Sequence, residues 1–459
     1  MIHRYQKKGL NFVLDVNSGA VHLLDDISYA VSGLLDENMG DTCPQSIIDA
    51  LSDYTADEIR EAYGELYELK KAGQLFAQDD YIDVSRYIPV NAPVKALCLH
   101  VAHDCNLRCQ YCFASTGDFG QGRKIMPPEI AKKAIDFVIA RSGVRHNIEV
   151  DFFGGEPLMA WDTVTQTVDY ARSLEKKYNK KFRFTITTNG LLLDEDKRKY
   201  INENMDNCVL SLDGRREVND AFRKTVAGTG SYDTIVPKFK ALVDERDPNL
   251  DYYARGTFTS HNLDFAEDVL SIADAGFDRL SVEPVTADPG CGYDLTEDDL
   301  PKIEAEYDRL TDIMLERKKE GKPFTFFHFM VDLDQGPCVV KRLRGCGAGY
   351  EYVAVTPDGD IYPCHQFVGK DEFKQGSVLD QSFNMDIAQK FAGMNIYSRP
   401  KCQKCWAKFY CSGGCSAANY NMNHDMNDSY DLGCEMERKR LECAIYLKAM
   451  DKICANQSK

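Results

Sequence analysis

The chain has no unbroken run of 18 or more apolar residues, which excludes a helix able to span a bilayer. Its first residues, Met1-Ile-His-Arg-Tyr-Gln-Lys-Lys8, lack the apolar core of a secretory signal. Positive charge is also short. The 55 Lys and Arg stand against 72 Asp and Glu, a formal net of −17, which argues against a nucleic-acid surface. Low-complexity tracts are missing, so the 459 residues are expected to fold as about two to four domains. What the chain does have is cysteine, 17 in all. Without a leader these thiols are expected in a reducing cytoplasm, where they bind metal more often than they pair. No membrane and no nucleic acid are expected as partners.

Ten of the cysteines fall into two spaced sets. The first is Cys105-x3-Cys109-x2-Cys112, inside Asp104-Cys-Asn-Leu-Arg-Cys-Gln-Tyr-Cys-Phe113. Three thiolates on one short loop can hold three irons of a cubane [4Fe–4S] cluster and leave the fourth iron open to a substrate. A zinc site short of one ligand, or buried thiols, are the plainer readings. The second set is Cys346-x12-Gly359-x4-Cys364, then Cys402-x2-Cys405-x5-Cys411-x3-Cys415, then Cys434. Zinc knuckles also use C-x2-C pairs, but seven cysteines are an odd count for closed tetrahedral sites. Thr356-Pro-Asp-Gly359 before Ile361-Tyr-Pro-Cys364 predicts a turn between two hairpin strands.

From residue 95 to about 320 the chain alternates. Strands are predicted at 96–101, 148–153, 183–188, 208–212, 252–258 and 279–283, with helical stretches between them, among them 129–140, 264–275 and 300–316. Six strand–helix repeats predict a parallel α/β sheet curled into a partial (β/α)6, TIM-like barrel. Chemistry in such barrels sits at the C-terminal strand ends. The three-cysteine loop follows strand one there and Gly154-Gly-Glu-Pro157 follows strand two. Thr188-Asn-Gly190 and Ser211-Leu-Asp-Gly214 end strands three and four.

The first ninety residues predict a separate module. Strands at 2–7, 11–16 and 20–24 precede helices, the clearest opened by the capping box Thr55-x-x-Glu58, with Ile59, Ala62, Tyr63 and Leu66 on one face. Residues 75–83 are expected to form a wing and 85–93, with Pro89 and Pro93, a linker.

The motif Cys105-x3-Cys109-x-Tyr111-Cys112 with Gly154-Gly-Glu-Pro157 resembles the radical S-adenosylmethionine (SAM) superfamily. The resemblance implies that SAM chelates the open iron and that a reduced cluster yields a 5′-deoxyadenosyl radical, which removes hydrogen from a substrate. It further implies that Gly154, Gly155 and Glu156 receive the SAM amino group, that Tyr111 lies beside the adenine, that Ser211 bonds the nucleoside and that Arg223 holds the carboxylate. A solvated surface arginine is the alternative for Arg223.

The second set resembles the seven-cysteine SPASM extension. That implies two auxiliary [4Fe–4S] clusters, for three in all. One would be held by Cys402, Cys405, Cys411 and Cys434, the other by Cys346, Cys364 and Cys415, with Cys338 as an undecided fourth ligand. Cys43, Cys98, Cys208, Cys291, Cys443 and Cys454 match no motif and are expected to be buried small hydrophobes.

The front segment Val13-Leu-Asp-Val-Asn-Ser-Gly-Ala-Val-His-Leu-Leu-Asp25 is similar to the winged-helix-like peptide-binding domain of enzymes that modify ribosomally made peptides. That domain takes a leader peptide as an added strand. A winged-helix DNA binder or a packing appendage are the other readings. In sulfatase-maturing relatives an aspartate follows the cysteine that matches Cys364. Here His365 does, which disfavours formylglycine formation and leaves a histidine as candidate base near neutral pH, with a structural histidine as the equal alternative.

The order of parts, 1–90 leader recognition, 95–320 barrel and 335–445 SPASM, resembles the six-cysteines-in-forty-five (SCIFF) thioether maturases. The implied partners are a cysteine-rich precursor peptide and a low-potential electron donor. The alternatives are another radical SAM peptide modifier, or a non-catalytic iron–sulfur electron carrier or peptide-binding scaffold.

Overall fold

The computed structural model describes residues 1–87, 92–333 and 339–457. The N-terminal module opens with an antiparallel sheet, β1 (Ile2–Lys7), β2 (Leu10–Asp15) and β3 (Val21–Leu24), in that spatial order. Lys8 and Gly9 both have positive φ, 51° and 77°, the backbone a two-residue hairpin turn with the right twist requires. Three helices, Asp26–Ser32, Gln45–Ala50 and Ala56–Lys71, cover one sheet face. The last carries the predicted capping box: the Thr55 hydroxyl accepts from the Glu58 amide, and the Glu58 carboxylate accepts from the Thr55 amide at 2.8 Å. Ile59, Ala62, Tyr63 and Leu66 are buried, as their spacing requires.

The expected wing is not there. Residues 75–80 have no strand and run into the helix Tyr81–Tyr87, which also takes the start of the expected linker. Residues 88–91 of that linker lie outside the described residues. The segment is instead committed to the cysteine-rich C-terminal region. Tyr81 packs edge-on to Phe409, 5.1 Å between ring centres, and the Asp79 carboxylate accepts from Tyr397 and from Lys408, the latter at 2.7 Å.

Nor is the module a free bead. The second face of its sheet buries Tyr5, Phe12 and Leu14 against Ile445 and Tyr446 of the long helix Asp431–Gln457. His3 stacks on Trp406 at 3.8 Å, and Lys8 pairs with Asp312 at 2.8 Å.

All six predicted barrel strands are present and parallel. They are β4 (Ala96–His103), β6 (Asn147–Gly154), β7 (Lys181–Thr188), β8 (Asn207–Ser211), β9 (Asp251–Phe258) and β10 (Arg279–Pro284). A two-residue β5 (Lys124–Ile125) pairs with β4, and a two-residue β11 (Thr325–Phe326) extends the sheet beyond β10. Alternation along the strands sets inside from outside. On β7, Phe182, Phe184 and Ile186 are fully buried, part of the apolar core that also takes in the surrounding helices. Thr185 and Thr187, at the alternate positions, are less buried and face the barrel lumen.

The C-terminal region continues the same sheet. Strand β12 (Tyr352–Val355) pairs parallel with β4, from Tyr352 on Ala96 to Val355 on Leu99. Strand β13 (Asp360–Tyr362) returns antiparallel through the predicted turn, where Gly359 has φ 88°. With strands on both sides and cover on both faces, all eight residues of β4 are buried. No helix among the described residues is long and apolar enough to cross a membrane.

Candidate active site

The chain leaves β4 into the three-cysteine loop at the C-terminal rim. Asp104 caps the Cys105 amide at 2.8 Å. Further along, the loop is pinned to the segment 222–225: Arg108 N–H donates to the Lys224 carbonyl at 2.7 Å, and Gln110 N–H to that of Phe222 at 3.3 Å. That pinning carries Arg223 to the loop.

Strand β6 ends beside it. Gly155 N–H donates to the Ala102 carbonyl and Glu156 N–H to that of Asp104, at 2.7 and 2.9 Å. A Cβ on Gly154 would stand 2.2 Å from the Ala102 oxygen, and one on Gly155 2.1 Å from the Asp104 oxygen. The two glycines therefore let two strand ends and the cysteine loop close on each other. Glu156 is fully buried. Its carboxylate accepts from the amides of Leu158 and Asn189 and from the Thr188 hydroxyl, at 3.0, 2.7 and 2.7 Å. Burial still pushes its pKa up to about 7 against those bonds. The carboxylate expected to meet an ammonium is thus largely engaged by the rim itself.

Arg223 is buried, not a solvated surface arginine. Its Nη2 donates to Asp213 at 2.9 Å, and its guanidinium lies 5.6 Å from the centre of the Tyr111 ring. Asp213, also buried, accepts from the Tyr111 hydroxyl at 2.6 Å and from the Thr257 amide at 3.0 Å. The sequence reading passed over Asp213 as a functional residue, although it stands in the quoted strand-end motif Ser211-Leu-Asp-Gly214.

A cavity of about 240 Å³ gathers these groups. Cys105, Cys109, Cys112, Tyr111, Gly154, Gly155, Glu156, Ser211, Arg223 and His365 all line it. Arg255 and Glu283, two further lining residues absent from the sequence reading, form an ion pair there.

His365 reaches the cavity from the C-terminal region, packed against Phe153 and Phe113 at 5.1 and 5.4 Å between ring centres. Burial, aided by Arg255, pushes its pKa down to about 4. It does not titrate near neutrality as expected: taking a proton would bury an imidazolium.

The second set divides in two. Cys402, Cys405, Cys411 and Cys434 line one cavity of about 320 Å³. Burial, then the nearby Cys415 and Cys346, push the Cys364 thiol up, which places those three thiols in one neighbourhood. Cys338 lies outside the described residues. Of the unassigned cysteines, Cys98, Cys208 and Cys443 are buried as expected, Cys43 is half-buried, and Cys291 and Cys454 are exposed, against expectation.

Among the described residues no three His, Cys, Asp or Glu side chains close on one metal position, but the first three thiols line one cavity and Cys402, Cys405, Cys411 and Cys434 another, and thiolate is the donor an iron–sulfur cluster takes. Burial pushes Cys105, Cys109 and Cys411 up to about 12, so without a cation beside them these thiols hold their protons at neutral pH. Bound iron would supply the positive charge that reverses this. The SAM side fits as well: Arg223 Nε is buried without a partner among the described residues, a donor free for a carboxylate.

The radical SAM superfamily matches residues 99–250, across the three-cysteine loop and the glycine pair. The iron–sulfur cluster-binding domain SPASM matches residues 346–406. The chain joins a radical SAM domain to an SPASM domain.

The enzyme is similar to a cysteine-type anaerobic sulfatase-maturating enzyme of Clostridium novyi, 26% identical over 72% of this chain and 90% of that one. It is similar also to the radical SAM cyclopropyl synthase TigE of Paramaledivibacter caminithermalis, 24% identical over 72% of this chain and 70% of that one. Among solved structures, anSMEcpe with bound AdoMet and the Kp18Cys peptide shares the fold at a TM-score of 0.63 and 21% identity, over 78% of this chain and 99% of that one. Streptococcus suis SuiB bound to the precursor peptide SuiA does so at 0.53 and 17%, over 94% and 98%. The share covered by SuiB takes in most of the N-terminal module of this chain.

Proposed function

We propose that the enzyme forms thioether crosslinks, sulfur to carbon, in a ribosomally made cysteine-rich precursor peptide, in the manner of the SCIFF maturases it resembles. In this reading it carries three [4Fe–4S] clusters. Cys105, Cys109 and Cys112 hold the first. Cys402, Cys405, Cys411 and Cys434 hold a second, and Cys346, Cys364 and Cys415 a third. Bound at the first set, SAM and a reduced cluster supply a hydrogen-abstracting radical, with a low-potential electron donor outside the chain. Arg223 Nε orients the SAM carboxylate, Asp213 fixes Arg223 and Tyr111 from behind, and the close-packed Gly154 and Gly155 leave backbone rather than side chain at the amino end. Ser211 faces the nucleoside.

One observation carries the reading: His365, next to Cys364 in the chain, lines the same cavity as the first three thiols. A third-cluster iron near that wall would bind a substrate thiol, lower its pKa and aim its sulfur at the carbon that has lost hydrogen. The neighbours bound to peptides, SuiB with SuiA and anSMEcpe with Kp18Cys, favour a peptide substrate but not this bond over another crosslink. The leader would add to the exposed edge of β3, as SuiA is a precursor peptide of SuiB.

The test is the mass of a co-expressed precursor after thiol alkylation. Each thioether removes two hydrogens and protects one cysteine. A peptide that loses hydrogens while every cysteine still alkylates would replace the thioether by a different crosslink.

Cys338 decides whether the third cluster is open. Reconstituted Cys338→Ala should keep the iron content of the parent if that cysteine is no ligand. A loss of about one cluster's iron assigns it as the fourth.

A further inference from the structure

A line of paired charged groups, most of them partly buried, runs from the barrel cavity to the four-thiol cavity. Glu283, at the end of β10, lines the barrel cavity and also a second cavity of about 780 Å³ between the barrel and the C-terminal helices. Its carboxylate pairs with Arg255 on the barrel side. On the other side His328 Nε2 stands 3.9 Å away.

The protonation of His328 follows from its neighbours. Arg440 of the C-terminal helix can only donate, and its Nη1 lies 3.3 Å from His328 Nδ1. So Nδ1 offers its lone pair, and Nε2 carries the proton toward the Ser281 hydroxyl at 3.1 Å. Burial, then Arg440, hold the ring neutral, with a pKa pushed down to about 3. The far nitrogen of Arg440 pairs with Glu437 one turn earlier on the helix. Glu437 lines the cavity of Cys402, Cys405, Cys411 and Cys434, and the field of Cys411 reaches Arg440 in turn. Arg440 Nε is buried with no partner among the described residues.

A guanidinium only 13% exposed is thus held by two fixed partners on the wall of a cavity that Cys411 and Cys434 also line. Opposite charges at this depth act far more strongly than at a surface. The hydrogen bonds, charge and exposure around an iron–sulfur cluster set its potential. We propose that Arg440 is a positioning residue that raises the reduction potential of the group held by Cys402, Cys405, Cys411 and Cys434, with Glu437 acting in the opposite sense and His328 fixing the guanidinium. Reduction adds one electron, and so one negative charge, to that group and moves no proton. A fixed cation favours the reduced form and a fixed carboxylate the oxidised one. The inference rests on the cluster assignment proposed above.

The test uses the full chain, reconstituted anaerobically, in a Cys105→Ala, Cys109→Ala, Cys112→Ala background, so that only the C-terminal clusters report. Dithionite titration is followed by electron paramagnetic resonance. Arg440→Gln should move one signal to more negative potential at unchanged iron. Arg440→Lys, which keeps the charge but not the planar fork, should restore most of that shift. Glu437→Gln should move the same signal the opposite way, and it serves as the deciding variant if Arg440→Gln does not fold. Potentials unmoved at full iron, or shifts of one sign from both substitutions, overturn the inference. A background protein that takes up no iron overturns the cluster assignment itself and the inference with it.

Discussion

Alanine at Cys105, Cys109 and Cys112 together is expected to abolish reductive SAM cleavage and to leave iron at the C-terminal thiols. The three cysteines sit on one loop at the barrel rim and line one cavity with Arg223 and the glycine pair. The four-thiol cavity is built from different elements, the short helices after residue 400 and the start of the long C-terminal helix. No residue of the rim loop lines it. Loss of the first set should therefore subtract one cluster's iron and all 5′-deoxyadenosine, and little stability, since the loop is held by backbone hydrogen bonds to residues 222–225 that alanine keeps. Chromatography of the nucleoside and iron per chain read the two effects separately. Nucleoside at the parent's rate would dismiss the rim as the site of SAM chemistry. On the proposed cluster assignment, removing Cys434 is a different injury, because metal bound there would contribute to folding.

Leu23→Asp is expected to weaken precursor binding by about 10- to 100-fold while leaving folding and peptide-free SAM cleavage intact. Leu23 lies on β3, the outer strand of the module's sheet, and is 42% exposed. A large apolar side chain on an open edge is a feature folded chains usually blunt with charge. Covering it with a leader strand would recover about 1.5–3 kcal/mol, which is the stated loss in affinity when the side chain is replaced by a carboxylate. Titration calorimetry with the full chain measures it. Deleting residues 1–90 is a poorer experiment than the sequence suggests. It would bare Ile445 and Tyr446, now covered by Phe12 and Leu14, and would confuse lost binding with lost solubility. An affinity unchanged by Leu23→Asp would move the leader away from this edge.

The barrel was legible in the sequence because its rule is local. Large apolar residues at every second position, such as Phe182, Phe184 and Ile186, mark each strand, and the motifs fall where those runs stop. The thiol groups were legible because spacing within a loop survives folding. What sequence did not show is which distant surfaces meet. Nothing periodic in 352–355 announces β4 as its partner. The wing failed for the same reason: Tyr81 and Asp79 found Phe409 and Lys408, more than 300 residues on. One signal was available and passed over. Phe12-Val13-Leu14 is apolar at consecutive positions, and a strand so marked is buried on both faces, as β2 is. Asp213 and the engaged carboxylate of Glu156 needed coordinates, since polar residues at a strand end do not say which hydrogen bonds they spend.

The pairing of β12 with β4 has a consequence for how the chain is made. The strand that leads into the first thiol loop stays without its outer neighbour until residue 355 has been synthesised. At a ribosomal pace of about 5–20 residues per second, that leaves the edge of a strand buried along its whole length in the finished fold unpaired for roughly ten to fifty seconds. During that interval the nascent barrel offers a template to any other extended chain. Yield in the cell should therefore depend on holdase chaperones and on translation speed between residues 103 and 352, more than on the stability of the finished protein.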